Sequence, residues 1–129
     1  MNMLAVILLS LTLFAQTASA AQGRLVTLAL PHAPGDGEVV WLEVKVGRLQ
    51  RGAEIEVWTT EGQTLGVISP YGIRPGAQGG TYNVPVPPGA IKGVRLKLRV
   101  TLNRYGRAER APTAKELKGI RVKITRATR

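Results

Sequence analysis

The strongest constraint on the fold is strict alternation of apolar and polar residues in seven separate short segments. Val26, Leu28 and Leu30 alternate with Thr27 and Ala29; Val40, Leu42, Val44 and Val46 alternate with Trp41, Glu43 and Lys45. Ile55 and Val57 stand among Glu54, Glu56 and Trp58, and the short pairs Leu65/Val67 and Val84/Val86 follow. Val94, Leu96, Leu98, Val100 and Leu102 alternate with Arg95, Lys97, Arg99 and Thr101, and Ile120, Val122 and Ile124 alternate with Arg121, Lys123 and Thr125. A period of two puts one side of each segment in a core and the other in water, which is the signature of antiparallel strands in a sandwich or barrel. The expected fold is all-β: a small antiparallel β-sandwich of seven to eight strands.

The punctuation agrees with that reading. Pro31 to Gly37 forms a Pro/Gly loop, and Glu61-Gly62 centres a tight hairpin joining residues 55–60 to 63–68. Residues 69–80 form the longest irregular stretch, including Gly76-Ala77-Gln78-Gly79-Gly80, which lacks the Gly-Lys-Ser/Thr ending of a phosphate loop and is expected to be a rim loop. Pro85, Pro87 and Pro88 mark residues 82–86 as an edge or entering strand, because proline cannot donate to a ladder. Thr113-Ala114-Lys115-Glu116 has the form of a capping box with Gly119 as its stop, predicting one short helical turn.

Ahead of these strands, Leu4 to Phe14 is an eleven-residue apolar run interrupted only by Ser10 and Thr12. It is too short to span a bilayer, which takes about 20 residues. Ala18-Ser19-Ala20 fits the small-residue cleavage pattern of a signal peptide, although Met1-Asn2-Met3 supplies no basic side chain. The expectation is a signal peptide at 1–20 and a single β-sandwich domain at 21–129, secreted or periplasmic, with no transmembrane segment. The chain has no cysteine, so a domain of this length closes its core without disulfides.

The net charge is +10, and it is distributed unevenly. Residues 21–73 carry four basic and six acidic side chains, whereas residues 74–129 carry fourteen and two. Such asymmetry points to an anionic partner. In an extracytoplasmic setting that partner is an acidic glycan, an acidic protein or peripheral contact with an anionic envelope surface, and no nucleic acid is expected.

The inventory of reactive side chains is thin. After cleavage one serine (Ser69), one histidine (His32) and one aspartate (Asp36) are left, so a Ser-His-Asp triad would need all three, and nothing around Ser69 resembles a nucleophile elbow. One His without Cys or Met excludes an ordinary transition-metal site, and Asp36/Glu38 are better read as a turn than as a calcium loop. Glu54 and Glu56 share a strand face as paired catalytic carboxylates would, but so do exposed strand glutamates generally. No catalytic residue, metal or cofactor is expected.

Two constellations remain as binding candidates. Trp41 and Trp58 both take the outward parity. A hairpin centred on Leu49-Gln50 would set Trp41 opposite Trp58, Glu43 opposite Glu56 and Lys45 opposite Glu54, making a flat indole platform for sugar rings or a protein, with Tyr71 and Tyr82 nearby. The second is a basic stripe: Arg95, Lys97 and Arg99 on one strand and Arg121 and Lys123 on another would merge into one patch if the strands neighbour, with Arg104, Arg107 and Arg110 on the adjoining loop. A guarded sheet edge is the plain structural alternative.

Glycine hairpins, the entry Tyr82-x-Val84-Pro85-Val86-Pro87 and the closing Gly119-Ile120-Arg121-Val122-Lys123-Ile124 resemble galactose-binding-like or jelly-roll sandwiches in rhythm, without a diagnostic motif. That resemblance implies carbohydrate binding. The expected function is non-catalytic recognition of an anionic envelope or extracellular polysaccharide; the alternative is an accessory subunit docking on an acidic envelope protein.

Overall fold

A computed structural model describes residues 23–69 and 80–127. The expected signal peptide, Tyr71 and most of the glycine-rich rim loop lie outside the described residues. Seven strands form: β1 (Arg24–Ala29), β2 (Glu38–Val46), β3 (Ala53–Thr59), β4 (Thr64–Ile68), β5 (Gly80–Val86), β6 (Arg95–Arg104) and β7 (Leu117–Arg126). They make two antiparallel sheets, one in the order β1-β6-β3-β4 and the other in the order β5-β2-β7. The expected β-sandwich is the observed architecture.

The alternation dictates the packing. Leu42 and Val44 from β2, Ile55 and Val57 from β3, and Leu96, Leu98 and Val100 from β6 are fully buried between the sheets. Each such side chain contributes about 1.5–3 kcal/mol by leaving water. The residues between them point outward, so each sheet has one apolar inner face and one polar outer face.

The Glu61-Gly62 hairpin forms as expected. Gly62 takes φ of 97°, which a side chain would resist, and Thr59 closes the turn through its backbone and through Oγ1, which accepts from Gln63 N at 3.0 Å. The proline-bearing β5 is an edge strand, also as expected.

Two expectations are corrected. Residues 47–52 are not a hairpin turn: they carry the chain from the three-stranded sheet to the four-stranded one, so β2 and β3 never pair. Leu49, buried to 3% exposure, anchors that crossing in the core, and Gly47 lets it pass Lys115, whose carbonyl oxygen would collide with a Cβ at position 47. Secondly, Thr113–Glu116 makes a turn and no helix, and Gly119 does not end an element; β7 runs through it, with a register shift at Lys45/Val46 on the neighbouring β2. The reciprocal half of the capping box is nonetheless present, since Thr113 N donates to Glu116 Oε1 at 2.8 Å.

Candidate functional site

The outer face of the four-stranded sheet brings together three of the five cations of the expected stripe and one tryptophan. Leu96, Leu98 and Val100 point into the core, so Arg95, Lys97 and Arg99 project outward from β6, a central strand. Their cross-strand neighbours on β1 are Ala29, Thr27 and Leu25. On the other side Arg99 pairs with Trp58 of β3, and its guanidinium carbon lies 5.5 Å from the indole centroid, within cation–π range. Arg95 and Lys97 make no ion pair among the described residues. Leu25, 60% exposed, extends the apolar margin beside the cations. Further along the same face, Glu56 stands opposite Thr101 and Glu54 opposite Asn103, so the sheet has a cationic end and an acidic end. Trp58 Nε1, Thr101 Oγ1 and Asn103 Oδ1 are buried on this face without a hydrogen-bond partner.

The outer face of the three-stranded sheet uses the same residue types differently. Trp41 on β2 lies between Pro85 of β5 and Lys123 of β7, and its Nε1 donates to Thr125 Oγ1 at 3.0 Å. Glu43, one pair along, accepts from Arg121 Nε at 2.6 Å and lies 3.2 Å from Lys123 Nζ. The hydrogen bond from Arg121 and then that from Lys123 hold the Glu43 carboxyl below its ordinary range. A cleft of about 450 Å³ beside them is lined by Glu43, Lys45, Thr81, Gly119, Ile120 and Arg121.

The expected arrangement of both constellations is therefore corrected. Trp41 and Trp58 stand on opposite outer faces, because β2 and β3 belong to different sheets; Glu43 does not oppose Glu56, nor Lys45 Glu54. For the same reason Arg121 and Lys123 on β7 do not merge with Arg95, Lys97 and Arg99 on β6. Tyr82 shares the inward parity of Val84 and Val86 and packs against the core, so it offers no platform.

At the far end of β6 a cleft of about 550 Å³ is lined by Gln50, Leu102, Arg104, Arg107, Ala108, Glu109 and Arg110. Two of its cations are already engaged: Arg104 donates to Gln50, and Arg110 grips Glu116 through both terminal nitrogens at 2.8 and 2.9 Å. That fork, with the Thr113 N–H, lowers the Glu116 pKa to about 2.

The opposite end of β6 holds a group that the alternation alone does not single out. Lys92 and Arg95 close a tight turn through Gly93, with reciprocal backbone hydrogen bonds of 3.0 and 3.1 Å, and Thr60 N donates to the Lys97 carbonyl at 3.2 Å. A cleft of about 350 Å³ results, lined by Thr59, Thr60, Glu61, Gln63, Ala90, Lys92, Arg95 and Lys97. The legible signal was Lys92-Gly93 immediately before the β6 alternation.

The residues of the conceivable triad do not assemble. His32 follows β1 and Ser69 follows β4, the two opposite edges of one sheet, and the strand registers put them at opposite ends of it. His32 Nε2 instead lies 3.1 Å from Glu38. The Gly35 N–H first, and then His32, lower the Glu38 carboxyl from its usual value. Among the described residues no group of three or more His, Cys, Asp or Glu side chains could hold a metal ion, and no helix is long and apolar enough to cross a membrane. No protein-family model, curated protein or solved structure matches the chain.

Proposed function

We propose that this protein is an extracytoplasmic, non-catalytic domain that binds an anionic polysaccharide across the outer face of its four-stranded sheet. The observation that supports this most is the placement of Arg95, Lys97 and Arg99 in a row beside Trp58, on a face where Arg95 and Lys97 make no ion pair among the described residues. The Trp58 indole and the Arg99 guanidinium make one plate, apolar and cationic, on which the C–H face of a sugar ring would lie. Lys97 and Arg95 continue along the strand at two-residue intervals of about 6.6 Å, suited to successive charges on an extended polymer. Trp41, Arg121 and Lys123 are left out of this site because they stand on the other face, and Tyr82 because it faces the core. The apolar run and the Ala18-Ser19-Ala20 cleavage pattern support export, with the mature chain starting at Ala21.

The test is a titration of the mature protein with neutral and acidic glycans at low and moderate salt. An acidic glycan should bind, weaken with salt, and lose about tenfold in affinity with Trp58→Ala, or about 1.4 kcal/mol. Unchanged binding by Trp58→Ala would remove the indole from the site. No response to any glycan, with an acidic polypeptide retained at low salt and released at high salt, would assign the face to protein docking instead. Mature protein that still carries residues 1–20 would overturn the export step.

A further inference from the structure

The geometry points to a dedicated subsite, at the cleft between the Thr59–Gln63 turn and the Lys92–Arg95 turn, for a tetrahedral oxyanion ester: a sulfate or phosphate group carried on the bound glycan. This rests on the reading of the four-stranded face as an anion-binding surface, and goes beyond it by separating one anion chemistry from another.

Three cations reach the cleft from one six-residue stretch, 92–97. Lys92 and Arg95 are partners across the tight turn at Gly93, whose φ of 66° suits glycine, and Lys97 comes from the next outward position of β6. The opposite wall supplies neutral polar side chains, Thr60 and Gln63. Both walls are short reverse turns closed by backbone hydrogen bonds, and the 3.2 Å bond from Thr60 N to the Lys97 carbonyl ties one to the other. The cations are thus held near one another before any ligand arrives, which lowers the ordering cost of binding.

One carboxylate, Glu61, shares the cleft, and its contact with Lys92 is loose: 3.8 Å between side chains 73% and 69% exposed. An exposed pair of this kind is weak and readily exchanged. Glu61 thus carries Lys92 across the mouth of the cleft in the free protein and competes with an incoming anion.

The arrangement favours a tetrahedral group over a carboxylate. A carboxylate offers two oxygens in one plane, and once the Arg95 fork has taken one lone pair of each, its remaining acceptor sites lie in that same plane. A sulfate or phosphate ester offers three terminal oxygens in three directions, enough to take the Arg95 fork, the ammonium groups of Lys92 and Lys97, and the Thr60 hydroxyl together. In the cleft at the other end of β6, Arg110 is neutralised by Glu116 and Arg104 is bound to Gln50, which leaves Arg107 as the cation with neither kind of partner among the described residues.

The experiment compares four polymers on one backbone: dextran, carboxymethyl dextran, dextran sulfate and dextran phosphate, the charged ones matched in charge density. Dextran sulfate or dextran phosphate should bind about tenfold more tightly than carboxymethyl dextran, and which of the two leads identifies the ester. Lys92→Ala should abolish most of that preference, and Glu61→Gln should tighten the preferred ester about threefold while leaving carboxymethyl dextran unchanged. Equal affinities for all charged dextrans, indifferent to both substitutions, would overturn the subsite and leave the wider face standing. Failure of every charged dextran to bind would overturn the face itself. Inorganic sulfate, followed by amide chemical shifts, gives an independent reading. Shifts confined to residues 60–63 and 92–97 support the subsite, and shifts spread evenly over the basic surface contradict it.

Discussion

The two outer faces of the sandwich are built from the same materials and reach different ends. Each has one tryptophan on a central strand and a row of cations on a strand beside it: Trp58 with Arg95, Lys97 and Arg99, and Trp41 with Arg121 and Lys123. On the three-stranded face Glu43 occupies the position opposite Arg121, so one carboxylate engages both cations, and the indole N–H is taken by Thr125. On the four-stranded face the glutamates of the neighbouring strand are displaced along it, opposite Thr101 and Asn103, and Arg95 and Lys97 are left to the solvent. Composition is shared, while register decides which cations can meet an external anion. An internal carboxylate at the right cross-strand position turns a basic face into a structural one.

The largest effect should come from charge reversal on the open face. Arg95→Glu with Lys97→Glu should weaken binding to a sulfated dextran at least a hundredfold, about 2.7 kcal/mol. Arg121→Ala with Lys123→Ala should change it less than about twofold and, since exposed ion pairs contribute little, alter stability by less than about 1 kcal/mol. Equal losses from both double variants, measured by direct titration, would erase the distinction between the faces.

Next in size is the ion pair at the β6–β7 turn, which lets the stability of the scaffold be separated from its ligand chemistry. Glu116 is 9% exposed, and its carboxyl is held at about 2, well below an ordinary 4.5, first by Arg110. Because the folded chain holds that proton less tightly than the unfolded one, the pair contributes fully above about pH 5 and is lost as the pH falls toward 2. Glu116→Gln should cost about 2 kcal/mol at neutral pH, with a flatter acid limb in denaturation measured against pH, and no change in ligand affinity at neutral pH. An unchanged acid limb would show that the pair does not set the acid stability.

A smaller effect sharpens the comparison in the opposite sense. Glu43→Gln releases Arg121 and Lys123 and should create weak, salt-sensitive binding on the closed face, detectable as a second equivalent of dextran sulfate in calorimetry. Unchanged stoichiometry would mean that freed cations alone do not make a site. Trp41→Phe, which deletes the hydrogen bond to Thr125, should cost about 1 kcal/mol of stability in thermal unfolding and leave binding unaltered.

How much of this was legible in the sequence differs between the strands and their pairing. The period-two pattern gives all seven strands and most of their inward residues, because burial on one face leaves a local, repeated trace; Val67, which pairs with the outward Glu56, and Val94, just ahead of β6, are exposed instead. Pairing leaves no such trace where the connection changes sheets. Residues 47–52 have the length of a hairpin loop, and a hairpin was the simplest expectation for Trp41 and Trp58. Leu49 was the sign against it: an apolar side chain at the centre of a supposed solvent-exposed turn, here buried in the core. Gly47 belongs to the same sign, since its role is close approach to residue 115 and not turn geometry. The basic stripe was legible strand by strand, but its division between two faces depended on β6 and β7 lying in different sheets. Lys92 leaves no such trace, because its position comes from a reverse turn outside any alternating run.

The most direct test of the central claim uses each tryptophan as the reporter of its own face. Trp41→Phe leaves only Trp58, and Trp58→Phe leaves only Trp41; both are titrated with dextran sulfate while indole emission is followed at low and moderate salt. The open-face account requires a saturable, salt-sensitive change in the protein that retains Trp58, and none at the same polymer concentrations in the protein that retains Trp41. A response from Trp41 alone would place the anion site on the face where Glu43 already neutralises the cations, and would contradict it.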